Sequence, residues 1–371
     1  MAEKGKSLGE LAKAKFKKDK AAVFGLSVII LAVLLAILGP IITPDGSPNA
    51  NRQIIELTAK KPGSTFTFLK IPRASVEEVG FIGRLMNGKP EGFTWIPIHS
   101  HSFRNDSLVI EKFTGDTPNE GEIVGYPISK FGDLNQEKIE ADLIQNQTYW
   151  LGTDRFGRDL LSRMILGTRI SLSIGFVAVG ISLLIGILLG SLAGFFRGWI
   201  DNVVMWFVTV VWSIPLLLLV IAITLAMGKG FWQVFVAVGL AMWVEVARIV
   251  RGQILSIREK EFVEACRALG YSGFRTIFRH ILPNILGPVI VISAANFAAA
   301  ILIEAGLSFL GIGAQPPIPS WGGMIKDHYG YIIMDKAYLA IIPGAAILLM
   351  VLAFTLVGNG IRDALDVKGT S

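Results

Sequence analysis

The sequence contains one cysteine among its 371 residues, Cys266. A lone thiol cannot form an intramolecular disulfide, so any domain outside the cytoplasm must be stable through packing alone. Charged residues are also scarce, at 17%, whereas hydrophobic residues reach 52% and the mean hydropathy is +0.56. Such a composition lies outside the range of ordinary soluble domains and indicates an integral membrane protein.

The sequence also has no P-loop, the Gly-x-x-x-x-Gly-Lys-Ser/Thr motif that binds nucleotide phosphates. Lys6, Lys89 and Lys229 each follow a glycine, but each lacks the upstream glycine or the following hydroxyl residue. The chain is therefore expected to hydrolyse no ATP of its own. Its net charge of +6 does not point to nucleic acid, because the basic residues cluster beside apolar segments, as membrane topology requires.

Residues 1–20 are rich in lysine and are predicted to be a cytoplasmic segment, followed by a first transmembrane helix at 21–42. A signal peptide has the same pattern of a basic start and an apolar run. This run is longer than a usual signal core and lacks a convincing small-residue cleavage site. A retained first span is therefore favoured.

Residues 43–165 are predicted to form an extracytoplasmic insert and interfacial segment, because they are largely polar and contain no span-length apolar run before 150. Segments 64–71 and 92–98 alternate as strands do, which predicts a β-rich or mixed domain. His99 and His101 alternate next to such a segment, but no third ligand lies nearby. We therefore predict a surface strand and no metal site.

Five further spans are predicted from apolar runs of sufficient length. They lie at 170–196, 203–227, 231–250, 285–312 and 339–357. Six spans with both termini in the cytoplasm place the basic residues of the short loops inside, as the positive-inside rule requires. The transmembrane domain is therefore predicted at 166–360, with a cytoplasmic loop at 251–284 and a cytoplasmic tail at 361–371.

A segment rich in charge and glycine precedes the second span and includes Asp154, Gly157, Arg158 and Asp159. It predicts an interfacial turn in which Asp and Arg pair, leading into a helix. The alternative is a catalytic carboxylate, but no nucleophile or metal set accompanies it. We therefore predict no catalytic residue and no enzymatic activity in this chain.

Glu245 and Glu304 are acidic residues within or near predicted spans, where ionisable groups are costly and often functional. A proton-coupled secondary transporter, one alternative for the function, would use such residues. We expect Glu245 to pair with Arg248 about one turn away. We expect Glu304 to face other helices or a wet cavity.

Two short helices are predicted in the polar loop between the fourth and fifth spans. Ser256 and Glu259 form a Ser-x-x-Glu capping box for the first helix, which is expected to end at Gly270. Ser272 is expected to cap the second helix, and Pro283 to close it. The second helix has an apolar stripe at i, i+3, i+4 and i+7 and two arginines on its opposite face. These residues are Phe274, Ile277, Phe278 and Ile281, with Arg275 and Arg279.

This loop resembles the EAA motif, a cytoplasmic loop in the membrane subunits of bacterial ABC importers. The motif is Glu-Ala-Ala, three residues, Gly, nine residues, Ile, one residue and Leu-Pro. The matching residues are Glu264, Ala265, Gly270, Leu282 and Pro283. The chain departs from it at Cys266, where the second alanine is usual, and at His280, where the isoleucine is usual.

Further segments resemble the C-type permease subunit of the dipeptide, oligopeptide and nickel transporter family. They are Leu-Gly-Thr-Asp at 151–154, Gly-Arg-Asp at 157–159, Ala-Arg at 247–248, Val-Arg-Gly-Gln at 250–253, Glu-Ala-Gly-Leu-Ser-Phe-Leu-Gly at 304–311, Pro-Ser-Trp-Gly at 319–322 and Gly-Ile-Arg-Asp-Ala-Leu-Asp at 360–366. The resemblance covers about 8–42 and 150–367, and it leaves out the intervening insert.

The resemblance implies an all-α membrane protein with six transmembrane helices and the type I ABC importer (MetI-like) permease fold, here with a β-rich or mixed insert after the first helix. The implied function is a permease subunit of an ATP-driven importer of di- or oligopeptides, with nickel as the alternative substrate. The implied partners are a second permease subunit, two ATP-binding subunits that hold ATP and Mg²⁺, and an extracytoplasmic substrate-binding protein. This chain would bind no cofactor, and its location would be the bacterial inner membrane.

The resemblance also implies roles for individual residues. Helix 257–269 would be a coupling helix that docks on an ATPase subunit, within the coupling loop 256–283. The implied coupling residues are Phe262, Glu264, Ala265, Cys266, Leu269, Gly270, Leu282 and Pro283. Glu264 would make a charged contact, and the apolar members would enter a groove. Glu304 and Trp321 are candidate pathway or gate residues.

Overall fold

The computed structural model describes residues 8–73, 79–115, 117–132, 134–228 and 230–365. Residues 1–7 of the predicted N-terminal segment, Lys229 and residues 366–371 of the predicted tail lie outside them. The helices in chain order are α1 (Leu8–Lys18), α2 (Lys20–Ile42), α3 (Phe81–Asn87), α4 (Gln136–Lys138), α5 (Leu160–Phe196), α6 (Gly198–Trp212), α7 (Leu216–Met227), α8 (Phe231–Ile257), α9 (Glu261–Ala268), α10 (Gly273–Thr276), α11 (Leu286–Phe309), α12 (Trp321–His328) and α13 (Tyr338–Leu365). The strands are β1 (Ser64–Pro72), β2 (Phe93–Arg104), β3 (Ser107–Lys112), β4 (Ile123–Pro127) and β5 (Ile144–Tyr149).

Within the described residues, five helical segments are long and apolar enough to cross a membrane: α2, α5, α8, the segment Gly273–Phe309 that contains α11, and α13. α6 and α7 add a sixth if they form one span, but they are bent by 92° at the break between them. The predicted span at 203–227 thus corresponds to two helices separated by a sharp bend. Pro215 explains the break, because it has no N–H and disfavours the helical conformation of Ile214 before it.

α5 packs along α8 through glycines spaced one turn apart. A Cβ atom added to Gly190 would lie 2.5 Å from the carbonyl oxygen of Ala247, and one added to Gly186 would lie 2.5 Å from Cβ of Val246. Small residues of this kind let two membrane helices approach closely. α2 and α11 also pack against α5, and α13 packs against α2 and α11.

Some helices extend beyond the predicted spans. α5 begins at Leu160, α8 continues to Ile257 and α13 continues to Leu365. The 37 residues of α5 extend over about 55 Å at the usual rise of an α-helix, whereas the hydrocarbon core of a bilayer is about 30 Å thick. α5 therefore continues beyond the lipid, and the predicted boundary between 165 and 166 lies inside this helix.

Between α2 and α5 the chain forms a five-stranded antiparallel sheet in the order β4-β3-β2-β1-β5. The two segments with strand-like alternation, 64–71 and 92–98, correspond to β1 and to the first half of β2. Large apolar side chains are buried on the sheet and its adjoining turns. They include Leu69, Ile71, Ile98, Leu108, Ile110, Phe131 and Ile139.

The two alternating histidines lie on β2 as expected. His99 Nε2 is 2.9 Å from the carbonyl oxygen of Gly115, and His101 Nε2 is 3.5 Å from a carboxylate oxygen of Glu140. Within the ranges that the structure describes, no group of three or more His, Cys, Asp or Glu is placed to hold a metal ion.

Candidate functional site

α9, the first helix of the polar loop, begins at Glu261. The predicted start at Ser256 is wrong, because α8 continues past this residue and the chain turns at 258–260. Glu259 is not part of a capping box, since its carboxylate accepts a hydrogen bond of 2.6 Å from the guanidinium of Arg197. A long-range ion pair thus replaces the local cap that the sequence pattern indicates.

α9 ends as the sequence predicts. Gly270 has a φ of +75°, a conformation that L side chains rarely adopt. Its N–H donates to the carbonyl oxygen of Arg267 at 2.9 Å, and the N–H of Tyr271 donates to that of Cys266 at 3.0 Å. These two bonds form a Schellman motif, which satisfies the last carbonyls of a helix. The predicted helix end at Gly270 is confirmed.

The second helix begins as predicted but does not end as predicted. The hydroxyl of Ser272 accepts a hydrogen bond of 3.4 Å from the N–H of Arg275, which confirms the cap. Pro283 does not close the helix, because the chain continues through a π turn at Ile277–Ile281 and a 3₁₀ turn at Leu282–Ile285 into α11. Pro283 lies in the first turn of the 3₁₀ segment, where its missing N–H is tolerated.

The apolar stripe of the second helix is divided between two environments. Ile277 and Ile281 are buried against α5, α8 and α11, whereas Phe274 and Phe278 are exposed. The prediction of a single apolar face is wrong, because only the row of Ile277 and Ile281 packs against the bundle, whereas the row of Phe274 and Phe278 lies outside it.

α9 has one buried and one exposed face. Val263 and Cys266 are turned toward the interior, and only 6% of Cys266 is accessible, whereas 70% of Leu269 is accessible. The prediction that Cys266 contacts an ATPase subunit is therefore wrong, because its side chain packs within its own chain. Among the exposed residues of this segment are four of the implied coupling residues, Phe262, Glu264, Ala265 and Leu269, which we call the coupling face.

Polar contacts tie this loop to α5 and α6. Arg251 of α8 donates two hydrogen bonds to the carboxylate of Asp201 of α6, at 2.6 and 2.7 Å. Arg258 donates to the carbonyl oxygen of Phe195 at the end of α5, at 2.7 Å. Bidentate pairs of arginine and carboxylate are strong and geometrically specific. These contacts hold the end of α8 and the turn that leads into α9 against α5 and α6.

Charged side chains are also exposed on α8, within a candidate span. The expected pair of Glu245 and Arg248 is not formed. The guanidinium of Arg248 lies 3.5 Å from the ring centroid of Trp212, at the end of α6. Glu245 is exposed and makes no ion pair with any residue in the described ranges. The break between α6 and α7 thus adjoins a polar surface on otherwise apolar helices.

Glu304 and Trp321 are both buried. Glu304 faces other helices, as expected, and accepts a hydrogen bond of 2.6 Å from the hydroxyl of Ser308. The indole N–H of Trp321 donates to the carbonyl oxygen of Met164 at 3.0 Å. Its ring lies over Gly167, where an added Cβ would approach to 2.9 Å. Trp321 therefore packs α12 against α5.

The predicted pairing of Asp and Arg in the turn before α5 is confirmed. Arg158 Nε donates to a carboxylate oxygen of Asp154 at 2.6 Å, and both side chains are buried. The carboxylate of Asp159 accepts the N–H of Ser162 at 2.8 Å and thereby caps α5. Burial raises the pKa of Asp159, and the hydrogen bonds from Ser162 partly oppose this effect.

Gly157 joins the same turn to the start of the insert. Its φ is +70°, and an added Cβ would lie 1.7 Å from the carbonyl oxygen of Ile54. The carbonyl of Asp154 accepts the N–H of Ala59 at 2.9 Å. The turn therefore holds α5 and the insert together, and its charged residues stabilise the turn and the start of α5.

Sequence reasoning missed the contacts between this turn and α12. Arg155 pairs with Asp327 at 3.1 Å, and Nε2 of His328 accepts the backbone N–H of Arg155 at 3.2 Å. His328 Nδ1 donates to the carbonyl oxygen of Met324 at 2.7 Å, and burial lowers the pKa of His328. Arg155 and His328 are 173 positions apart, so no local spacing could indicate this contact.

Two family models match parts of the chain. Residues 186–368 match the family described as "Binding-protein-dependent transport system inner membrane component". Residues 7–58 match the "N-terminal TM domain of oligopeptide transport permease C". Neither match covers 59–185, which contain the sheet.

Curated relatives are similar over about two thirds of the chain. The glutathione transport system permease protein GsiD of Pectobacterium atrosepticum is 41% identical over 223 residues, which are 60% of this chain and 74% of that protein. The dipeptide transport system permease protein DppC of Bacillus subtilis is 39% identical over 66% of this chain and 77% of that protein. The oligopeptide transport system permease protein OppC of the same organism is 37% identical over 65% of this chain and 78% of that protein. A solved structure of the MetNI methionine ABC transporter resembles 56% of this chain and 97% of the chain compared, with a TM-score of 0.47 and 19% identity.

Proposed function

This chain belongs to the family of binding-protein-dependent transport system inner membrane components, and we propose that it imports di- or oligopeptides. It is thus a permease subunit of an ABC importer and not an enzyme. The relatives are named for the transport of glutathione, dipeptides and oligopeptides, and all of these are peptides. Their names favour peptides over nickel, the other substrate class within the resemblance.

The coupling face of α9 is the observation that carries the mechanism. We propose that Phe262 and Leu269 enter an apolar groove of an ATP-binding subunit, and that Glu264 faces a basic residue there. Exposed apolar groups beside a charged one are typical of an interaction surface. ATP and Mg²⁺ would bind to two such partner subunits. ATP would favour one arrangement of the membrane helices by binding preferentially to it.

The contacts of the loop support this coupling. A shift of α9 would pass through the buried face of that helix and through Arg251 and Asp201 to α5, α6 and α8. These helices would then move against the rest of the bundle and switch access to the substrate pathway between the two sides of the membrane.

We further propose that a second permease subunit and the pathway lie against the exposed polar surface beside the break between α6 and α7. Glu245 and Arg248 are exposed there. A charged group that faces lipid at the bilayer centre costs about 2.5–3.5 kcal/mol. Facing water or a second protein subunit avoids this cost, and broken helices near the membrane centre are typical of substrate pathways.

The proposed orientation places both termini in the cytoplasm and the sheet of the insert outside. The lysine-rich N-terminal segment and the basic loop around α9 support this orientation, because short cytoplasmic loops are enriched in Lys and Arg. An extracytoplasmic binding protein would deliver the substrate on the side of the insert.

Charge reversal at Glu264 tests the coupling. In the purified four-subunit complex, we expect Glu264→Arg to weaken binding of the ATP-binding subunits by at least about tenfold, because a charge pair in an interface becomes a repulsion. Peptide uptake in proteoliposomes should fall accordingly, while insertion into the membrane is retained. Glu56→Arg is the matched control, because Glu56 is an exposed glutamate in the insert. Equal assembly and uptake in the two variants would contradict the docking of α9.

The same proteoliposomes test the substrate class. Uptake of a labelled tripeptide should require ATP and should be reduced by other unlabelled peptides but not by Ni²⁺. Uptake of ⁶³Ni²⁺ that peptides do not reduce would overturn the peptide assignment and leave the permease assignment intact.

A further inference from the structure

The helix α3, which precedes β2, exposes large apolar side chains to the surroundings. Phe81, Ile82 and Met86 are accessible to 71%, 72% and 63%. At 100° per residue these three positions fall within one side of a helix. An exposed apolar cluster on so short a helix needs an environment other than water.

Arg169 of α5 fixes the level of α3 relative to the membrane. Its guanidinium donates to the carbonyl oxygens of Met86 at 2.8 Å and of Leu85 at 2.9 Å. These carbonyls are at the C-terminal end of α3, where they lack partners within the helix and favour a cation. Arg169 directly precedes the long apolar run of α5 that begins at Ile170. The C-terminal end of α3 therefore lies where the lipid-spanning part of α5 begins.

The end of α2 lies at the same level. Pro40 of α2, Met86 of α3 and Ile170 of α5 line a common cavity of about 310 Å³. The last turns of α2 also expose Ile41 and Ile42. Because α3 contacts α2 directly, its exposed apolar side chains lie near those at the end of α2.

We propose that α3 is an interfacial membrane anchor of the insert, with Phe81, Ile82 and Met86 in the boundary between lipid headgroups and acyl chains. A helix with one apolar face and basic residues beside it binds in the plane of this boundary. Arg84 and Lys89 are exposed next to the apolar face and have the charge that attracts anionic headgroups. The anchor holds the sheet of the insert close to the extracytoplasmic surface of the membrane, beside α2 and α5.

Site-specific fluorescence quenching tests this assignment. The single cysteine is replaced by the alanine of the EAA motif (Cys266→Ala), and a bimane label is attached at Ile82→Cys in the full complex in anionic nanodiscs. Two labelled positions serve as references. Ile123→Cys on β4 is exposed to a similar extent in the insert, and Leu31→Cys is exposed in the middle of α2.

The label at Ile82 should be quenched by nitroxide lipids labelled near the headgroup, and several-fold less by aqueous iodide than the label at Ile123. The label at Leu31 should respond to nitroxides placed deeper in the acyl chains. Iodide quenching at Ile82 equal to that at Ile123 would place α3 in water and overturn the anchor. Protection from both quenchers would also overturn it, because a protein partner would then cover this face.

Discussion

At the scale of single residues, the turn before α5 depends on a glycine more than on its charges. Gly157 combines a φ of +70° with a backbone oxygen of Ile54 at 1.7 Å from the position of a Cβ. Asp154 and Arg158 pair inside the turn, but their pairing requires the chain direction that this glycine allows. The contact between the insert and the membrane domain thus depends first on the absence of a Cβ atom at Gly157.

Gly157→Ala should destabilise this contact strongly. The left-handed conformation alone costs an L residue about 1–2 kcal/mol, and the clash with Ile54 adds to it, so we expect a loss of at least about 2 kcal/mol. Gly180→Ala is the control, because Gly180 lies in α5 with open space around its Cβ position and should be neutral or slightly stabilised. Thermal unfolding in detergent measures both. Similar melting temperatures for the two variants would contradict the steric role of Gly157.

His328 should make stability depend on pH. Burial lowers its pKa in the folded protein, so the neutral ring is favoured there, with Nδ1 as donor to Met324 and Nε2 as acceptor from Arg155. Below the ordinary histidine pKa of about 6.5, the unfolded chain takes up a proton that the folded chain resists, and stability falls as pH falls. Melting temperatures between about pH 7.5 and 5.5 should therefore decrease less in His328→Asn, which cannot titrate in this range. Parallel pH profiles of the two proteins would show that His328 does not contribute.

At the scale of helices, the sequence predicts the features that depend on near neighbours. Gly270 and Ser272 form their caps with residues no more than five positions away, and Asp159 caps α5 in the same way. The apolar length of the spans likewise identifies the membrane helices, because a bilayer sets a minimum length. These elements need no knowledge of the rest of the chain.

The wrong predictions concern contacts between distant segments. Glu259 leaves its local capping box because Arg197, which is 62 positions away, provides a charged partner. Cys266 is buried because α9 folds back onto its own bundle, which a motif alone does not show. Arg248 prefers the ring of Trp212 to Glu245 because the broken span brings that ring within 3.5 Å. In each case a tertiary contact outweighs a local preference. A sequence pattern indicates only partners that are close in sequence, so it could not predict these contacts.

At the scale of the whole molecule, the proposed orientation makes the insert and the α9 loop accessible from opposite sides. Lys130 in the insert and Lys260 and Arg267 in the loop are exposed, so all are suited to cleavage by trypsin. Trypsin added to intact spheroplasts should cut the insert and spare the loop, and lysed spheroplasts should be cut at both. Terminal tags and immunoblots identify the fragments. Cleavage of the loop alone in intact spheroplasts would show that the topology is the reverse of the proposed one.

The arrangement of the whole importer also determines what surrounds Glu245. If the exposed surface of α8 faced lipid, Glu245→Leu would remove a costly charge, raise the melting temperature and leave transport intact. In the proposed arrangement this surface faces the pathway or the second permease subunit, and a carboxylate there attracts the ammonium group of a peptide. Glu245→Leu should then lower ATP-dependent peptide uptake by about tenfold, the equivalent of one charged contact of about 1.4 kcal/mol.

Binding of the ATP-binding subunits should be unchanged, since the coupling face is intact, and Glu56→Leu in the insert is the control. If Glu245→Leu took up peptide as fast as Glu56→Leu and had a higher melting temperature, this surface would face lipid. The substrate pathway would then lie elsewhere.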